Sequence, residues 1–186
     1  KIKFIGLDMD HTLVRYDTLA FETLAYDNML KKLVSEKKYP SEIEDLKFEF
    51  NSVIRGLMVD SNQGNLLKVS RHGAIRASRH GTQSIPFHQQ QRDYLGTYVD
   101  LGSPEFSSID TAFSISVAIL FGQLVDLKDR NPMNYPEYPK ILKDIVEVMD
   151  ISHRDDSLKS IVRKNMDKYI IQEPEVAEGL ERYKRH

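Results

Sequence analysis

The sequence predicts an α/β protein in which a large module is inserted after the first strand of a core sheet. Three observations carry this reading. Ile2–Leu7 is a short apolar run bounded by charge, the pattern of a strand buried in a parallel sheet. Residues 21–172 then read as helices and a β meander, with no second core-type strand among them. Pro174 follows, and residues 173–186 form a charged amphipathic stretch that reads as a helix returning toward the core. The expected division is therefore 1–20 (first strand and the polar residues after it), 21–172 (inserted module) and 173–186 (re-entry helix).

Each element has its own justification. Apolar positions at Leu19, Leu24, Met29, Leu30 and Leu33 follow helical spacing and predict a helix over Leu19–Glu36. A second helix is expected after Pro40, with Ser41 capping it and Glu44 three residues on. From Arg55 to Ile85 the period changes. Leu57-Met58-Val59, Leu66-Leu67-Val69 and Ala74-Ile75-Ala77 alternate with turn residues, as strands of a small meander do. Asp110–Leu127, Tyr138–Ile151 and Ser157–Tyr169 read as helices, and no internal repeat or low-complexity tract is visible.

Bulk composition excludes several classes. A chain of 186 residues with 40% apolar side chains is long enough to bury a core. A net charge of −2, from 26 basic and 28 acidic residues, gives no global field toward nucleic acid or an anionic membrane. The absence of cysteine removes disulfides, thiolate metal sites and cysteine nucleophiles, and it fits a reducing compartment such as the cytoplasm. The longest apolar run, Ile115–Leu120, is far short of the roughly 20 residues a bilayer span needs. The chain opens at Lys1 without a methionine or signal region and closes on a charged helix, so it is read as part of a longer protein.

Chemistry concentrates where the first strand ends. Ile5-Gly6-Leu7-Asp8-Met9-Asp10-His11-Thr12-Leu13 places two carboxylates one residue apart and a threonine beyond them, at the position where open α/β sheets present ligands. Phosphate monoesters repel nucleophiles by their own charge, so hydrolysis needs a cation on the phosphate oxygens and a carboxylate poised to attack. Two aspartates at a strand end also occur as a plain solvated turn; the strand, both aspartates and Thr12 together favour the chemical reading.

The stretch Phe4–Tyr16 resembles the first motif of the haloacid dehalogenase superfamily. The resemblance runs on through Arg55–Asp60, Gly64–Val69, Gln123–Asp126, Asp150–His153 and Ser157–Lys159, which are similar to the cap of the cytosolic IMP/GMP-preferring 5′-nucleotidases. It implies a Rossmann-like core, represented here by its first strand, with an inserted α+β cap. It implies Asp8 as the phosphorylated nucleophile and Asp10 as the general acid and base, with the Asp8 side chain and the Asp10 carbonyl on Mg²⁺. For the cap it implies that Phe113 stacks on the purine, and that Asp150, His153 and Lys159 read the nucleoside monophosphate. It further implies a homo-oligomer, a tetramer, in the cytoplasm.

Simpler readings stand beside these. Phe113, next to the Ile115–Leu120 run, reads equally as core, His153 and Asp150 as an exposed i,i+3 pair, and Lys159 as an ordinary surface cation. Arg71, His72, Arg76, Arg79 and His80 form a basic cluster that suits a solvated strand face better than nucleic acid or a polyphosphate effector. Asp155-Asp156 imitates a paired acidic metal motif, yet its surroundings are helical and belong to the cap. The sequence departs from the family at His11, where an aromatic residue is usual. It also lacks a convincing second serine or threonine, phosphate-steadying lysine and later aspartates before His186. The expectation is a nucleotidase whose remaining core lies beyond this chain, the chain alone having little activity. Alternatives are a phosphatase of another ester and a nucleotide-binding module without catalysis.

Overall fold

A computed structural model describes residues 6–96, 98–100, 103, 105–109 and 114–184. Most of the strand expected at Ile2–Leu7 lies outside the described residues, and Gly6–Met9 carry no strand pairing among them. What the structure describes is a mixed helix and sheet protein with an antiparallel sheet at its centre.

The chain enters through β1 (Arg15–Tyr16) and turns at once into α1 (Thr18–Ser35). Asp17 caps that helix, its carboxylate accepting from the Ala20 amide at 2.9 Å. The buried face of α1 is Glu22, Ala25, Tyr26, Met29, Leu30 and Leu33; of the five apolar positions expected to form it, Met29, Leu30 and Leu33 are buried, Leu24 is half-buried and Leu19 is exposed. The helix expected after Pro40 is instead a five-residue 3-10 turn, Ser41–Asp45, with no side-chain cap. Its Ile43 is fully buried, while Leu46 is already extended, so the anchor holds one turn and the alternating Phe48 and Phe50 beyond carry no helical stripe.

The meander is β2 (Leu57–Asp60), β3 (Asn65–Val69), β4 (Ile75–His80) and β5 (Gln83–Ser84), joined after the short helix α2 (Phe87–Asp93) by β6 (Phe106–Ile109). The spatial order is β5-β4-β3-β2-β6, every pair antiparallel. All four residues of β2 are buried because both faces of the sheet are covered. Leu57, Val59 and Leu66 point into the main core with α1, α3 (Ile115–Arg130) and α4 (Tyr138–Arg154). Met58 and Leu67 point the other way, onto Tyr94 and Val99. This is the period-2 alternation of a strand realised as two cores on two faces.

Polar residues buried in this layer are paired. The Tyr94 hydroxyl donates to Asp60 at 2.8 Å and accepts from the Asn65 amide at 2.7 Å. Asn65 in turn meets the His80 ring at 2.8 Å, whose other nitrogen reaches Asp129 at 2.8 Å. This chain of contacts ties the β2–β3 turn to the end of α3.

Where α3 crosses the β4–β5 turn, backbones touch. Gly81 has φ +53°, and a Cβ there would stand 2.0 Å from Asp126 Oδ1 and 3.0 Å from the Gly122 carbonyl. Asp126 accepts from both the amide and hydroxyl of Thr82, so it has little room to retreat. Gly81→Ala is expected to destabilise the fold by about 1–3 kcal/mol, read as a lowered urea midpoint; an unchanged midpoint would show that the turn can shift.

After α4 the chain forms α5 (Ser157–Lys164), the single turn α6 (Met166–Tyr169), β7 (Ile170–Ile171) and α7 (Pro174–Lys184). β7 pairs antiparallel with β1, Tyr16 opposite Ile170 and Arg15 opposite Ile171. The Asp17 amide donates to the Tyr169 carbonyl at 2.9 Å, and Arg15 meets Glu173 at 3.1 Å. Everything between residues 17 and 169 is thus an excursion that leaves and returns through one two-stranded ribbon. No helix among the described residues is long and apolar enough to cross a membrane.

Candidate active site

The residues after the expected first strand form a tight loop. The amides of Thr12, Leu13 and Val14 all point at the Met9 carbonyl, and His11 takes φ +56° to let the chain reverse. Asp8, Asp10 and Thr12 are exposed on this loop. Asp10 lines a cavity of about 440 Å³ together with Met9, Tyr16, Phe21, His153, Leu158, Lys159, Val162, Arg163 and Ile170. The loop, the start of α1, the end of α4, α5 and β7 each supply a wall. The ribbon is what places the first of these beside the last.

Of the residues expected from sequence, the cavity gathers Asp10, His153 and Lys159. Asp8 and Thr12 stand on the loop but do not line it. Asp150 opens into a second cavity of about 290 Å³, with Val59, Ser107, Ser108, Val146 and Met149 on its walls. His153 lines both cavities and forms their common wall. Asp150 and His153 make no hydrogen bond to each other among the described residues, so the simple i,i+3 pair is absent. Phe113 lies outside the described residues, as do Asp110 and Thr111.

Two cavity residues were missed in the sequence. Arg163 stands one helical turn after Lys159 and lies on the same face, a spacing that was available to find it. Its Nη1 meets Asp156 at 3.0 Å. Tyr16 donates its hydroxyl to Asp10 Oδ1 at 2.8 Å. Burial and the neighbouring Asp10 carboxylate push the Tyr16 phenol up to about 12, so it remains the donor in this contact at neutral pH. No sequence spacing announces that bond.

Other singled-out residues are structural. Gln123 accepts from Tyr26 and donates to the Lys47 carbonyl, and Asp126 holds Thr82. Asp155 accepts from Lys32 at 2.5 Å and from the Ser157 amide, contacts that hold its carboxyl down at about 2. With Asp156 on Arg163, that acidic pair is occupied by cations of the fold. In the basic cluster Arg79 donates to the Ser52 and Thr82 carbonyls, while Arg71, His72 and Arg76 are exposed.

Among the described residues no three metal-ligating side chains cluster. Asp8 and Asp10 nevertheless offer oxygen donors on one loop, and Mg²⁺ is characteristically held by one or two carboxylates, water and substrate phosphate. The donor chemistry fits that ion.

Asp10, on the loop that also carries Asp8, lines one cavity with Lys159 and His153. Comparison with known proteins gives the family. The model of the 5′ nucleotidase family matches residues 1–186, and the chain belongs to that family. It is 35% identical over 82 residues to the human 5′-nucleotidase domain-containing protein 1, covering 44% of this chain and 18% of that protein. It is 34% identical over 87 residues to a 5′-nucleotidase domain-containing protein of Dictyostelium discoideum, covering 46% of this chain and 15% of that protein. The matched stretches are less than a fifth of either relative's length.

Proposed function

We propose that the full-length protein hydrolyses purine nucleoside 5′-monophosphates, with the 6-oxo purines of IMP and GMP preferred, and that this chain is the first motif and cap of a haloacid dehalogenase-type enzyme. The observation that carries the reading is the single cavity in which Asp10 faces Lys159 and His153. The paired strands β1 and β7 support an inserted cap, since an insertion must leave and rejoin its host at neighbouring points.

In this reading an Asp8 oxygen attacks phosphorus while the bond from phosphorus to the 5′ oxygen breaks, and Asp10 gives that oxygen its proton. The nucleoside departs, leaving an aspartyl-phosphate. Water then attacks the same phosphorus as Asp10 takes its proton, and the bond to Asp8 breaks, restoring the carboxylate and freeing phosphate. Transfer to a second nucleoside replaces water by a hydroxyl. Asp8 and the Asp10 carbonyl would hold Mg²⁺, which when bound would supply charge neutralisation on the phosphate oxygens. Lys159 contacts the nucleoside monophosphate from the cap, and His153 stands where the cavity of Asp10 meets the cavity of Asp150. There an acceptor carboxylate and apolar walls suit a purine edge and face.

The test is phosphate release from IMP, GMP and AMP by the full-length protein with and without Mg²⁺, beside a panel of sugar and aryl phosphates. Mg²⁺-dependent release led by IMP or GMP is expected. Release confined to other esters would leave a phosphatase of different specificity, and nucleotide binding without release would leave a binding module. Lys159→Ala is expected to raise KM for IMP by roughly tenfold, about 1.4 kcal/mol of lost binding, with a smaller change in kcat; an unchanged KM would return Lys159 to the surface.

A further inference from the structure

Asp10 is asked to give and take a proton at one defined place, and a carboxylate on an exposed loop does not hold one orientation unaided. The structure supplies a fixed donor for it. Tyr16 Oη donates to Asp10 Oδ1 at 2.8 Å. Its ring packs against His11 and Phe21, with ring centroids 5.5 Å away in both cases. Its backbone is locked in β1 opposite Ile170, so the hydroxyl is positioned by both passages of the ribbon and not by the loop alone.

We propose that Tyr16 is a positioning residue for Asp10: its hydroxyl occupies one carboxylate oxygen and leaves the other to exchange the proton with the leaving oxygen and then with water. This rests on the hydrolytic reading of the site. A phenol held on Oδ1 directs the exchangeable proton to Oδ2, and it stops the carboxylate from rotating between the two half-reactions. It also makes proton transfer depend on the ribbon. If β1 and β7 separate, the donor leaves Asp10 even though both carboxylates remain on their loop.

The experiment is Tyr16→Phe in the full-length protein, which keeps the ring and removes the oxygen. A general acid contributes roughly 10²- to 10⁴-fold, so loss of its positioning is expected to lower kcat for IMP by about tenfold or more, with KM within about twofold. The pre-steady-state burst of phenolate from p-nitrophenyl phosphate, whose leaving oxygen needs no proton, is expected to fall less than about twofold. In an Asp10→Asn background, adding Tyr16→Phe is expected to cost nothing further. Equal losses on both substrates, no loss on IMP, or an additive loss in the Asp10→Asn background would each overturn the assignment while leaving a working hydrolase. Wild-type protein that releases neither nucleoside nor phenolate would instead overturn the hydrolytic reading, and this assignment with it. Should the Phe variant be less stable than wild type, the double-mutant comparison still decides.

Discussion

Asp8→Asn in the full-length protein is expected to lower kcat for IMP by about 10³-fold or more while leaving the unfolding midpoint unchanged. Both halves of this expectation come from where Asp8 stands. It is exposed, and among the described residues it accepts no hydrogen bond, so the fold has nothing to lose when its charge is removed. On the proposed mechanism the chemistry has everything to lose. An amide neither attacks phosphorus at a useful rate nor offers a charged ligand, and the second displacement has no phosphoryl-enzyme to act on. Trapping of radiolabelled phosphate on the wild-type protein and its absence from the variant is the companion measurement. Residual turnover near the wild-type rate would remove Asp8 as the nucleophile.

The second large effect is on stability, at Glu22. This carboxylate is 1% exposed on the buried face of α1, where one oxygen accepts from the Ser116 amide at 2.7 Å near the start of α3. Its other oxygen and the Ser116 hydroxyl have no hydrogen-bond partner among the described residues. Burial pushes the carboxyl up from 4.5 to about 7, against the smaller opposing effect of the Ser116 contacts. Between those two values the folded protein binds a proton that the unfolded chain has released. Stability therefore falls as pH rises through this window, and the full penalty stands above pH 7. A difference of this size corresponds to about 3 kcal/mol. Glu22→Gln keeps an acceptor for the Ser116 amide without the buried charge. It is expected to raise stability by most of that amount at pH 8 and by less than about 1 kcal/mol at pH 5, measured by urea unfolding. A gain independent of pH would show that the carboxyl is not what titrates.

Periodicity made much of the scaffold legible. Met29, Leu30 and Leu33 face the core as their spacing requires, and the strands of the meander fall where alternation and turn residues put them. The helix expected at Ser41 did not form, because a cap signal says where a helix begins and not whether an apolar stripe follows to sustain it. Asp10, His153 and Lys159 line one cavity, while Gln123 and Asp126 are braces for Tyr26 and Thr82. A buried polar residue with a structural partner and a polar residue reserved for a ligand look alike in sequence. Only the identity of the partner separates them. Tyr16 was illegible for a related reason: its ring and strand are set by His11, Phe21 and Ile170, contacts that no local pattern encodes. Glu22 was readable in principle, since a charge on the 22-26-29-33 stripe breaks an otherwise apolar face.

The ribbon of β1 and β7 has one more consequence, for how such a protein can change over generations. Because the chain departs and comes home at neighbouring residues, the segment from 17 to 169 can lengthen, shorten or trade its strands without altering the gap it bridges. Asp8 and Asp10 lie on one side of that seam, and His153 and Lys159 lie on the other. Selection can rewrite one side of the seam while the aspartate loop on the other stays as it was, because the two meet at four paired strand residues and the few contacts that flank them.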